Sequence, residues 1–151
     1  MAMLELVNNY SDNHVPSERA ARFYAERAKG GVGLIITEGL SVHPTSLPQP
    51  HVPAAYDKEN IPQFRMIADM VHENDTILLG QLWHVGRVSH SSFHGGALPV
   101  APSAIPVRSE GMKAMTADGK VSDYETPRAL ETAEVKGIVE AFRQAAKNAL
   151  A

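Results

Sequence analysis

Residues 23–39 read FYAERAKGGVGLIITEG, and two periodicities meet there. Upstream, Ala20, Phe23, Tyr24 and Ala28 recur at helical spacing, so one face of a helix over Ser17–Lys29 is apolar. Pro16 stands where a first-turn proline is tolerated. Gly30-Gly31 stops the helix, because glycine enters the left-handed conformation of a helix C-terminus without steric cost. Val32 to Thr37 is then a continuous run of apolar and branched residues. A strand wetted on one face alternates; one covered on both faces does not, and parallel sheets are built from the second kind. The expected strand ends at Glu38-Gly39, where polar residues begin. The glycines close a helix and open a strand, the reverse of a phosphate-binding loop.

The same unit repeats downstream. After a proline-rich connection with Pro44, Pro48, Pro50 and Pro53, Asp57 is a candidate N-cap and Pro62 a first-turn proline. Ile61, Phe64, Ile67, Ala68 and Val71 form the apolar stripe of a second helix, which Asn74-Asp75 breaks. Thr76 to Leu82 reads as a second buried strand. Helix, strand, helix, strand, with room for a crossover, predicts an α/β fold with a parallel sheet and right-handed connections. Residues 83–131 lack periodicity and are rich in Gly, Ser, Pro and His; a short hairpin is expected within 112–122. A third helix follows, with Thr132 as N-cap and Val135, Ile138, Val139, Phe142, Ala146 and Ala149 on one face.

Composition limits the function classes. At 151 residues, 44% hydrophobic and 21% charged, the chain is an ordinary globular domain. A net charge of −3 gives no basic field for nucleic acid or an anionic membrane. No apolar run approaches the roughly 20 residues of a bilayer-spanning helix. The N-terminal MAMLELVNNYSDNH has neither the basic nor the long apolar region of a secretory signal. Cysteine is absent, which excludes disulfides and thiolate metal sites within this chain and fits a cytoplasmic protein.

The densest polar cluster, QLWHVGRVSH at 81–90, starts where the second strand ends. Ligand sites in α/β proteins gather at the C-terminal ends of strands. The Gln81 amide carries one acceptor and two donors and matches a heterocycle edge; Trp83 can wall a pocket for a flat ligand. Equally, Gln81 can satisfy loop backbone groups and Trp83 can be core. His84, His90 and His94, with His43 and His72, raise the question of a metal. SHSSFHGG is a poor helix and no HExxH arrangement is present, so hydrogen-bonding loop histidines are the preferred reading, with no metal site.

Four segments, FYAERAKGGVGLIITEG (23–39), YDKENIPQFRMIADMVHEND (56–75), ILLGQLWHVGRVSH (77–90) and PVAPSAIP (99–106) with PRALETAEVKGIVEAFRQAAKNALA (127–151), resemble the N-terminal part of the Old Yellow Enzyme family. These are the FMN-dependent NADH:flavin oxidoreductases, including 2,4-dienoyl-CoA reductase-like members. The resemblance implies a single domain over 1–151, the N-terminal part of a (β/α)8 TIM barrel with about three parallel strands. It implies hydride transfer from NAD(P)H through FMN to an activated alkene, a small unsaturated molecule. By resemblance, Gln81 bonds the flavin pyrimidine edge and Gly39 lies beside the flavin. Ala2 and Met3 match the end of the first strand, where Leu4 replaces the hydroxyl or thiol residue of the family, and Trp83 borders the substrate pocket. The catalytic His pair and Tyr of the family match positions beyond residue 151, so no catalytic residue is assigned. A barrel needs about 250 residues. The chain by itself is therefore expected to be a truncated fragment, with little or no FMN binding and no turnover. The alternative is a non-catalytic module that assembles through open sheet edges, by self-association or with a companion chain.

Overall fold

The computed structural model describes residues 2–6, 8–108 and 110–151, with side chains from residue 8 onward. Three parallel strands form one sheet in chain order: β1 (Ala2–Leu6), β2 (Leu34–Ser41) and β3 (Ile77–Trp83). Helix α1 (Glu18–Lys29) joins the first two and α2 (Ile61–His72) the second two. Helix α3 (Thr132–Ala149) follows the long excursion.

Local chemistry accounts for the boundaries. Ser17 is extended at the start of α1, and Gly31, at φ +91°, turns the chain out of the helix into β2. Asp57 caps a short 3-10 turn, Lys58–Asn60, by accepting the Glu59 N–H at 3.0 Å; α2 grows from that turn. Asp75, at φ +54°, reverses the chain before β3. The N-cap of α3 is Glu131 and not Thr132: Glu131 and Glu134 form a reciprocal capping box, which satisfies two N-terminal amides where a lone Thr would satisfy one.

The core lies on one face of the sheet. Ala20, Ala21, Tyr24 and Ala28 of α1 meet Ile67 and Val71 of α2 over Ile35, with Leu78 packed alongside. A second cluster joins Leu40, Val42, Ala55 and Ala145, with Leu82 and Phe142 against it. The opposite face is open. Ile77 is 58% exposed and Leu79 48%, so β3 is not the buried strand its composition predicts. Its residues suit two covered faces, but of its aliphatic side chains Leu78 and Leu82 are the ones that pack against the core clusters; among the described residues β3 is also an edge, paired with β2. The expected stripe of α3 divides the same way. Ile138 and Phe142 turn inward with Ala145 and Asn148, while Val135 and Val139 are exposed.

The excursion carries two small ladders. Val100–Ala101 pairs in parallel with Arg128–Ala129, which brings its ends together before α3. Ala114–Met115 pairs with Val121–Ser122, the hairpin expected there, with Gly119 at φ +78° in its turn.

Candidate functional site

Strand β2 runs past its expected end at Glu38-Gly39 to Ser41, through an irregularity. Ile36 pairs with Leu79, but the next rung is Gly39 with Gln81, so β2 spends one more residue than β3 over this interval. This is a bulge, and it resets which residues share a face. Without it, Glu38 would lie on the side of Ile36. With it, Gly39 and Ser41 stand in register with Gln81 and Trp83, on the face away from the helices, while Leu40 and Leu82 pack toward them. Thr37 stitches the bulge: its hydroxyl accepts the Gln81 N–H at 3.1 Å and donates to the Glu38 carbonyl at 2.8 Å. Glu38 is turned to the buried side, where its backbone N–H donates to the Tyr24 hydroxyl at 3.1 Å. Burial, first, and the Glu38 charge, second, raise the Tyr24 pKa.

Gly39 and Trp83 are a packed pair. A Cβ built on Gly39 would lie 2.2 Å from Cε3 of the indole, 2.8 Å from Cδ2 and 3.0 Å from Cζ3. The indole is therefore seated on the bare backbone of Gly39. The carbonyl of Trp83 is pinned by the Val42 N–H at 3.2 Å and by the Ser46 hydroxyl at 3.0 Å, and that hydroxyl accepts the Val85 N–H. Gln81, Gly39 and Trp83 thus meet at the C-terminal ends of the strands, as the sequence reading placed them. Ala2 and Met3 do not join them. Their backbones pair with Leu34 and Ile35 at the first rungs of β2, so Ala2-Met3 begins its strand and does not end it. Their side chains lie outside the described residues.

The loops around this mouth are tied by hydroxyls and imidazoles that composition alone does not single out. Thr45 lies between His43 and His84, Ser89 donates to the Leu47 carbonyl at 2.7 Å, and Arg87 reaches Ser103 at 3.1 Å and the Ile105 carbonyl. Burial lowers the pKa of His43; burial and then the neighbouring His43 and His94 lower that of His84. Burial pushes the Glu125 carboxyl up, but the Ser91 backbone and hydroxyl donors outweigh it and hold the pKa below its ordinary value. Among the described residues, no group of three or more His, Asp or Glu is arranged to hold a metal ion. No helix among them is long and apolar enough to cross a membrane.

The chain is similar to flavin-linked reductases. It is 39% identical over 137 residues to 12-oxophytodienoate reductase 7 of Oryza sativa, covering 90% of this chain and 34% of the relative. It is 33% identical over 136 residues to flavin oxidoreductase hxnT of Emericella nidulans, again covering 90% and 34%. Among solved structures, morphinone reductase matches with a TM-score of 0.88 at 35% identity, over 98% of this chain and 40% of its own. The old yellow enzyme homologue from Zymomonas mobilis matches with a TM-score of 0.89 at 30% identity, over 99% and 41%. This chain spans about a third of the length of the rice and Emericella relatives. The structure is accordingly the N-terminal part of such a barrel, with an open three-stranded sheet. Residues 1–151 match the NADH:flavin oxidoreductase / NADH oxidase family from end to end, and the chain belongs to that family.

Proposed function

We propose that this chain contributes the first strands of an FMN site in a cytoplasmic NAD(P)H-dependent reductase of activated alkenes. The observation that carries this reading is the bulge-set register that brings Gly39, Gln81 and Trp83 to one face at the strand ends. The site chemistry fits a flavin: the Gln81 amide carries the donor and acceptor types that a pyrimidine edge pairs with, and Gly39, beside it in register, seats the Trp83 indole. Bound there, FMN supplies a carrier that accepts hydride from NAD(P)H and passes it on. Gln81 orients that ring, Gly39 lets the Trp83 indole lie flat against the strand, and the indole walls the space the substrate enters. The names of the relatives support the chemistry, since they are reductases, and one matched structure is morphinone reductase with tetrahydroNAD.

The test grafts residues 1–151 in place of the matching part of morphinone reductase. The chimera is expected to retain yellow flavin, and Gln81→Ala in it is expected to weaken FMN binding by about 5- to 100-fold, the cost of one deleted hydrogen-bonding group. Unchanged FMN affinity in that variant would remove Gln81 from the site. The 151-residue chain by itself is expected to hold FMN weakly; stoichiometric flavin on the purified chain would overturn that expectation.

One observation favours a second reading, assembly through the open edge. Ile77 and Leu79 leave apolar surface uncovered on a strand whose outer edge has no partner among the described residues, and Val135 and Val139 are exposed on α3. Light scattering across a concentration series distinguishes the two. A closed dimer that Leu79→Lys dissociates supports assembly, and monomer throughout refutes it.

A further inference from the structure

Three histidines at the mouth do the same local work. His43 Nδ1 accepts the N–H of Thr45 at 3.2 Å, His84 Nδ1 accepts the N–H of Gly86 at 3.1 Å, and His90 Nδ1 accepts the N–H of Ser92 at 3.1 Å. In each case the imidazole holds the amide two residues ahead, as an Asx side chain does in a turn. A ring nitrogen that accepts from an amide carries no proton, so all three are neutral rings with the proton on Nε2. His14 and His51 are the contrast: their Nδ1 atoms face the carbonyls of Val52 and Ser11, each at 2.9 Å, and must donate. A second proton on His43 or His84 costs the bond that shapes its turn.

With the tautomers fixed, the bonds between His43 and His84 acquire a direction. The Thr45 hydroxyl is 3.1 Å from His84 Nε2 and 2.8 Å from His43 Nδ1. His84 Nε2–H donates to Thr45, and Thr45 donates to His43. This chain joins the loop after β2 to the loop after β3, next to Trp83. We propose that His43, Thr45 and His84 form an acid-release latch between these two loops, closed only while both imidazoles are neutral. A proton on His43 Nδ1 opposes two donors, the Thr45 amide and its hydroxyl; one on His84 Nδ1 opposes the Gly86 amide.

The surroundings act in the same sense. The two rings stack with centroids 6.4 Å apart, so a charge on either repels the other, and His94 adds to the repulsion at His84. His43 lines a cavity of about 260 Å³ with Arg128 and Glu134, whose charges are committed to each other at 2.8 and 2.9 Å. The carboxylate among the mouth histidines, Glu125, is taken by Ser91 and lies 3.9 Å from His90 Nε2; burial lowers the His94 pKa, and Glu125 opposes that only in part. The sign follows. The closed loops hold the His43 and His84 pKa values below that of a free imidazole, about 6.5. Below that pH the open state takes up protons first, and closure weakens as the pH falls. Each coupled proton steepens the opening by about tenfold per pH unit, so two give about a hundredfold. The latch does not depend on flavin binding.

The test is hydrogen exchange and imidazole ¹⁵N spectroscopy on the 151-residue chain between pH 7.5 and 5. At pH 7.5 the Nδ1 atoms of His43 and His84 are expected to be unprotonated. Protection of the Thr45 and Gly86 amides, corrected for intrinsic exchange, is expected to fall ten- to a hundredfold per pH unit below about 6.5, while amides of α1 keep theirs. In the double variant His43→Asn, His84→Asn, the Asn carbonyl still accepts the amide two residues ahead but does not titrate. That variant should lose the pH slope and keep the protection. A protonated Nδ1 at pH 7.5 on either ring, or a slope that survives the double substitution, overturns the latch. Should the double variant fail to fold, the ring spectra and exchange slopes of the unsubstituted chain decide.

Discussion

Gly39→Ala is the sharpest probe of the mouth, because the added methyl has nowhere to go. The Cβ would sit 2.2 Å from Cε3 of Trp83, against an ordinary carbon–carbon contact of about 3.5–4.0 Å. The indole must retreat by about 1.3 Å or more. Its backbone cannot follow freely, since the Trp83 carbonyl is held by Val42 and Ser46 and its strand by the rungs to β2. The ring therefore leaves its seat by side-chain rotation, and overpacking of this kind costs about 1–3 kcal/mol. Gly39 lacks a positive φ, so the cost is steric and not conformational. Trp83 is the only tryptophan, so its emission reports the displacement directly and should shift to the red. Urea unfolding followed by circular dichroism supplies the energy. In a Trp83→Ala background the clash is gone, and Gly39→Ala should be neutral to within about 0.5 kcal/mol, leaving a coupling energy of about 1–3 kcal/mol in the double-mutant cycle. Equal costs in both backgrounds, with unchanged emission, would refute the packed pair.

Two further substitutions test what sets the site in place. Thr37→Val keeps the shape but removes the acceptor of the half-buried Gln81 N–H and the donor to the Glu38 carbonyl, and should cost about 1–3 kcal/mol in urea unfolding, whereas Thr37→Ser should retain most of the stability. Asn148→Ala removes the donor to the Ala55 carbonyl at 2.8 Å, which ties α3 to the loop after β2. It should cost about 1–3 kcal/mol and raise amide exchange in the C-terminal half of α3 without altering α1.

The elements were readable where the signal is local. Gly30-Gly31, Asp57 with Pro62, and Asn74-Asp75 marked helix ends because caps and left-handed residues act within a few positions. The hairpin within 112–122 was legible for the same reason. Thr132 was misread as the cap of α3, because a capping box is decided by whether the Glu131 and Glu134 side chains reach back, and Glu is a weaker cap signal than Thr. Gln81 and Trp83, proposed here as site residues, are singled out by the polar cluster at a strand end and by the family resemblance, and Gly39 by the resemblance. Thr37, Thr45 and Ser46 were missed: a hydroxyl in a strand or loop has no pattern of its own, and its partners lie about 40 residues away.

By itself the sequence determined the alternation of helix and strand, the parallel sheet and the end of that sheet at which polar chemistry gathers. Those follow from periodicity and from the short reach of turn residues. Only the tertiary structure decided that β2 carries an extra residue, so that Gly39 and not Glu38 shares a face with Gln81. Side chains alternate with period two, and a one-residue bulge reverses every face beyond it while leaving composition untouched. It also decided that β3, apolar on both faces, is covered on one. Burial depends on which neighbours are present, and Ile77 and Leu79 stay about half exposed on the open side of the sheet.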